Sequence, residues 1–202
     1  MPFSIVDHRL HQDGAAVKFV ATPNQRGVVK PNYLIMHYTA GTTASGAINH
    51  FAKASAQASA HLVIDRDGTV TQMVPFNRVA WHAGKSVWGD LQGLNQFSIG
   101  IELVNAGKLK RTADGTWLNW ANRPIADSEV AEMTHKHESR VAGWQVYSEI
   151  QLEVAVAIGI ALRLRYGFLG VLGHDDVAPN RKVDPGPAFP MISFESLVMG
   201  RA

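Results

Sequence analysis

The sequence predicts an α/β (α+β) fold, with a mixed central β-sheet flanked by helices in one domain spanning residues 1–202. Three observations carry this. Short apolar runs at 33–38, 97–104 and 168–173 read as buried strands. Asp67-Gly68, between two apolar runs, is a hairpin turn. A longer apolar segment, 150–166, outruns the length of a typical strand and reads as a helix. With 202 residues, 46% hydrophobic and 18% charged, the chain can fill a core and is not of disordered composition.

Composition also excludes. A net charge of +2, with no basic cluster denser than Lys108-Leu109-Lys110-Arg111, gives no footprint for nucleic acid. The absence of cysteine rules out disulfides and thiolate metal ligands. No apolar stretch reaches the length of a membrane span without interruption by charge. No basic segment followed by an apolar run opens the chain, so cytoplasmic residence is the expectation, with release by lysis or another export route as the alternative.

In chain order, residues 1–32 are polar, broken by Pro23, Gly27 and Pro31, and read as an N-terminal arm with one short strand at 17–20. Tyr33 to Tyr38 is a buried strand with His37 near its end. Thr39 to Thr43 turns the chain into a helix from Ala44 to about Ala54, on which His50 lies at the surface. His61–Asp65 and Thr69–Val74 flank the hairpin turn. Arg78 to Gly84 is an irregular loop carrying Trp81 and His82. Phe97 to Val104 is a strand with one carboxylate, Glu102, among apolar neighbours; such a group is costly unless paired or functional. Residues 106–146 read as an insertion, with Asp114-Gly115 marking a hairpin. The 150–166 helix is apolar on most faces and so predicted buried, with Glu149 and Glu153 near its start, Arg163 and Arg165 near its end, and Gly167 as its stop. Phe168–Gly173 is a last strand and Ser193–Met199 a terminal helix.

The chemistry gathers in Gly173 to Pro187, a segment stiffened by Pro179, Pro185 and Pro187. His174 and Asp184 are a nitrogen and an oxygen donor of the kind zinc accepts, and catalytic zinc usually takes three protein ligands and keeps a position open. His37 is the best candidate for the third, although taken alone it reads more readily as a core histidine satisfied by a backbone carbonyl. His61 could be a fourth ligand, but an open position favours a role on the cleft wall or behind the ligands. His135 and His137, with Glu138, lack further ligands for a second metal site.

Leu34-Ile35-Met36-His37, Ser59-Ala60-His61, Ala80-Trp81-His82-Ala83-Gly84, Ser98-Ile99-Gly100-Ile101-Glu102 and Gly173–Pro187 occur in that order. Together they resemble the zinc-dependent N-acetylmuramoyl-L-alanine amidases, in the branch related to T7-type phage lysozyme and peptidoglycan recognition proteins. The resemblance runs from about Tyr33 to Phe189 and thins across the insertion. It implies one zinc per chain and hydrolysis of the amide joining N-acetylmuramic acid, or its anhydro form, to L-alanine of a peptidoglycan stem peptide. It makes Glu102 the catalytic proton carrier. Lys182, two residues before Asp184, is placed to face the oxyanion. Substrate contacts fall on His82, Asn105, His61 and Trp81. Where some relatives ligate with cysteine this chain has Asp184, and where the phage lysozymes have a catalytic tyrosine it has Ala60. A non-catalytic peptidoglycan-binding module is the alternative; an unrelated zinc peptidase is disfavoured by the lack of His-Glu-x-x-His. A recycling role and a wall-lytic role both stay open, as does the oligomeric state.

Overall fold

The computed structural model describes residues 2–201, and among these six strands form the central sheet. Their spatial order is Gly170–Gly173, Tyr33–Tyr38, Ser98–Leu103, Leu62–Ile64, Val70–Gln72, Lys18–Phe19. The first four run parallel to their neighbours, Leu62–Ile64 and Val70–Gln72 form the antiparallel hairpin around Asp67-Gly68, and Lys18–Phe19 lies parallel on the edge. The sheet is thus mixed, as the order of elements predicts.

Alternation along the two central strands sorts their side chains to opposite faces. Leu34 and Met36, with Ile99, Ile101 and Leu103, enter the main core, where they join Val154, Ile158 and Leu162 of the helix Glu149–Tyr166 and Phe194 and Val198 of the helix Met191–Met199. The other face carries Ile35 and His37 beside Ser98, Gly100 and Glu102, because the parallel register sets Glu102 opposite His37 and Gly100 opposite Ile35. One face is therefore greasy and structural; the other is where polar chemistry is exposed to a cleft.

The helix Glu149–Tyr166 starts at Ser148, whose Oγ accepts from Gln151 N (3.3 Å), and stops at Gly167, where φ is 68°. It is not buried all round. Gln151, Val154, Ala155, Ile158, Gly159 and Leu162 form one buried stripe, whereas Leu164 is 76% exposed. A three-and-four spacing decides burial here, and the apolar residues off that stripe simply face solvent. Gln151 serves as a tie: its Nε2 donates to the carbonyls of Ile64 (3.0 Å) and Val104 (3.2 Å), at the ends of two sheet strands.

The N-terminal arm holds more structure than one strand. Phe3–Val6, Arg9–Gln12 and Ala15–Ala16 form an antiparallel meander, and Gln25–Val28 pairs with Arg78–Ala80. Asp7 and His8 both have positive φ (47° and 63°), the backbone of a tight hairpin turn, and Leu10 anchors the meander in the core.

The segment after Ala106 builds a second sheet, all antiparallel, in the order Pro124–Ile125, Trp117–Leu118, Lys108–Arg111, Val141–Gln145, Val130–Thr134. It fastens onto the Gly173–Pro187 loop. His135 Nε2 meets Asp175 Oδ2 (2.9 Å), His137 Nε2 donates to Asp175 O (3.0 Å), and Lys136 Nζ pairs with Asp175 Oδ1 (2.9 Å). The two histidines follow the Val130–Thr134 strand rather than alternating within it, and through Asp175 they dock the sheet onto the ligand loop.

Candidate metal centre

His37 sits near the end of its strand, and His174 opens the short helix His174–Val177 directly after the neighbouring strand Gly170–Gly173. Asp184 returns to them because Asp175 N donates to the Asp184 carbonyl (2.8 Å). All three side chains are buried. His37 Nδ1, His174 Nδ1 and Asp184 Oδ2 form a nearly equilateral triangle with sides of 3.0, 3.0 and 2.9 Å. That is close to the roughly 3.3 Å separation of ligand atoms in a tetrahedron with bonds of about 2.0 Å. Among the described residues, this is the group of histidines and carboxylates able to hold a metal ion.

The donor chemistry fits a divalent cation. His174 Nε2 lies 3.1 Å from the carbonyl of Ala83, which can only accept, so that nitrogen carries the proton. The other nitrogen, Nδ1, is the one left to face Asp184 Oδ2, 2.9 Å away, as a metal ligand would. An imidazole ligand anchored through its far nitrogen on a backbone carbonyl is also the usual second shell of a zinc site.

The triangle opens on a cleft of about 410 Å³, lined among others by Tyr38, Ala40, His50, Trp81, Glu102 and Lys182. His50 is exposed at its mouth, as a surface residue. The indole Nε1 of Trp81 and the Oε2 of Glu102 are buried and without a hydrogen-bond partner among the described residues. Burial pushes the Glu102 carboxyl well above its ordinary range, Asp184 adds to the effect, and Lys182 opposes it. Lys182 lines the same cleft and, among the described residues, forms no ion pair within 4.0 Å. Burial, with the neighbouring His174, lowers His37 to about 4, which keeps its imidazole neutral and fit to ligate.

Two of the four residues expected to touch substrate do not line this cleft. His61 is fully buried, donating from Nε2 to Arg78 O (2.9 Å) and accepting at Nδ1 from Gly100 N (3.0 Å). Both nitrogens are therefore committed to main chain, which leaves none for a metal or a ligand. Asn105 is likewise buried: Nδ2 donates to Gln145 O (3.0 Å) and Oδ1 accepts from Gly107 N (2.7 Å). It stitches the second sheet to the first. Asn105→Ala is expected to cost about 2–4 kcal/mol of stability, since it strands a buried donor and a buried acceptor, while KM stays unchanged. Urea unfolding together with steady-state kinetics checks this. Trp81 and His82 do lie at the cleft, but His82 Nδ1 is turned towards His37 Nε2, 3.0 Å away.

Sequence reasoning missed Arg181 and Ser98. Arg181 Nη2 donates to Ala83 O (2.7 Å) and Lys85 O (2.8 Å), pinning the loop that anchors His174. Its adjacency to Lys182 is the only sequence signal for it.

A family profile described as N-acetylmuramoyl-L-alanine amidase matches residues 27–187. The chain is 33% identical over 161 residues to 1,6-anhydro-N-acetylmuramyl-L-alanine amidase AmpD of Citrobacter freundii, a region covering 78% of this chain and 67% of that protein. It spans 57% and 58% of the length of the AmpD proteins of Enterobacter cloacae and Escherichia coli strain K12. Among solved structures, a selenomethionine AmpD derivative superposes with a TM-score of 0.65 at 25% identity, covering 96% of this chain and 98% of the other. AmiD of E. coli, in complex with the substrate anhydro-N-acetylmuramic acid-L-Ala-D-gamma-Glu-L-Lys, gives 0.61 at 26% identity, covering 83% and 57%.

Proposed function

This chain belongs to the N-acetylmuramoyl-L-alanine amidase family, and from that premise we propose that it hydrolyses the amide between N-acetylmuramic acid, or its anhydro form, and L-alanine of peptidoglycan stem peptides. The observation that carries the reading is the buried triangle of His37, His174 and Asp184 beside Glu102, whose buried Oε2 has no hydrogen-bond partner among the described residues. We assign one zinc ion to the triangle. Zinc supplies Lewis acidity, polarising an amide carbonyl and making water a stronger acid.

The chain's own residues do the rest. Glu102 removes a proton from the water as its oxygen bonds to the carbonyl carbon and the carbonyl oxygen takes up the negative charge; it then hands that proton to the amine nitrogen of L-alanine, which leaves as the C–N bond breaks and the carbonyl re-forms. Burial raises the Glu102 carboxyl above its ordinary range, which strengthens it as an acceptor of the water proton. Lys182 directs its ammonium at the carbonyl oxygen as negative charge develops there. Trp81 lines the cleft wall and offers its apolar ring to the glycopeptide.

A binding module is the weaker reading, since a buried carboxylate oxygen without a partner costs stability and is explained by turnover rather than by recognition. Mass spectrometry of the zinc-loaded protein with soluble anhydro-muropeptide, and separately with intact sacculi, tests the proposal. Free stem peptides beginning at L-alanine are the expected products; intact substrate in both arms overturns it. The arm that yields product also decides between recycling and lytic use.

A further inference from the structure

The face of the sheet behind His37 carries a line of polar groups whose directions can be worked out one by one. Ser98 Oγ lies 2.6 Å from the carbonyl of Leu94, which can only accept, so the single hydroxyl proton points there. Ser98 Oγ is also 3.3 Å from His82 Nε2. With its proton spent, Ser98 can only accept in that contact, and His82 Nε2 must donate. Among the described residues no carboxylate pairs with this buried ring, whose two nitrogens face only Ser98 and His37, so with Nε2 donating its Nδ1 is left to accept. His82 Nδ1 is 3.0 Å from His37 Nε2, which must then donate. A neutral His37 with its proton on Nε2 presents a bare Nδ1 to the triangle.

The placement of His82 is held from every side. Its backbone N and that of Ala83 donate to Asn95 Oδ1 (3.0 and 2.7 Å). Its ring fills the space over Gly100, where a Cβ would come within 2.4 Å of the imidazole. His61, the other imidazole against it, spends both nitrogens on main chain. The glycine of Ser98-Ile99-Gly100-Ile101-Glu102 thus leaves room for His82, and the serine orients it.

We propose that Ser98 and His82 are positioning residues that set the tautomer of His37, through the chain Leu94 carbonyl, Ser98 hydroxyl, His82 ring, His37 ring, so that its Nδ1 is ready to ligate zinc. The inference rests on the metal-site reading but not on the substrate. Ser98 acts through two side chains and touches neither donor triangle nor cleft.

Zinc affinity, measured by competition with a chelator, reads this without turnover. His82→Leu is expected to weaken zinc about 10–100-fold, the usual effect of losing an outer-shell partner of a ligating histidine. His82→Asn should recover part of that loss, because its amide oxygen falls near the position of Nδ1. Ser98→Ala should weaken zinc by a smaller factor, since the His82 tautomer is then free to invert. If His82 merely fills space, His82→Leu and Ser98→Ala bind zinc as the parent does, and the proposal fails. Ring-nitrogen NMR of the zinc-loaded parent gives an answer independent of any variant. A proton on Nε2 of His82 is expected, and a proton on Nδ1 overturns the chain of bonds. If the parent protein itself takes up no zinc, the metal-site reading falls and this proposal with it.

Discussion

His174→Ala is expected to abolish zinc binding and turnover together. The substitution removes one corner of the triangle and leaves His37 Nδ1 and Asp184 Oδ2, two donors where zinc sites use at least three from the protein. The loop itself should survive, because Ala83 O keeps its bond from Arg181 Nη2 and Asp175 N keeps its bond to Asp184 O. Loss of activity would therefore report loss of metal and not collapse. Lewis-acid stabilisation is worth several kcal/mol, which at about 1.36 kcal/mol per tenfold makes the expected fall at least on the order of 10³-fold. Elemental analysis should find the variant essentially free of zinc. Full occupancy would take His174 out of the site.

Glu102→Gln should leave zinc in place and lower kcat by roughly 10²–10⁴-fold, the range of a lost general acid–base group. Glutamine matches the carboxylate in shape but cannot accept the proton of water. Glu102 is not a corner of the triangle, so metal content serves as the internal control. The same substitution has a stability signature in metal-free protein. Because the folded-state pKa of Glu102 is raised, the unfolded chain releases this proton first, and stability falls as pH climbs through the ordinary glutamate range. That cost is absent below the unfolded pKa and present above it. Glu102→Gln should flatten the decline, so by urea unfolding the variant gains on the parent as pH rises above about 4. A group poorly stabilised where it stands, yet needed for rate, is what a catalytic carboxylate in a cleft is expected to be.

The framework was legible wherever local pattern decides structure. The strand that carries His37, the hairpin at Asp67-Gly68 and the helix stopped by Gly167 all follow from period, turn chemistry and capping. The N-terminal meander was not, because its first turn uses Asp7 and His8 at positive φ and its anchor is the single buried Leu10. Residue identity alone also misplaced His61 and Asn105. Both look like polar groups in search of a ligand, but their partners are main-chain atoms of Arg78, Gly100, Gly107 and Gln145, brought near only by the fold. Ser98 was hidden for the same reason: its importance lies in the Leu94 carbonyl and the His82 ring. The exposed apolar residues of the long helix, Leu164 among them, show the limit of counting hydrophobic residues without knowing which stripe the sheet covers.

The central claim is that one zinc ion at His37, His174 and Asp184 makes this chain an amidase. Stepwise addition of zinc to chelator-stripped protein, with release of stem peptide from muropeptide measured at each step, tests it most directly. Activity should rise from near zero in proportion to zinc and level off sharply at one equivalent per chain. Full activity in the stripped protein, or a rise that continues to a second equivalent, would contradict the account.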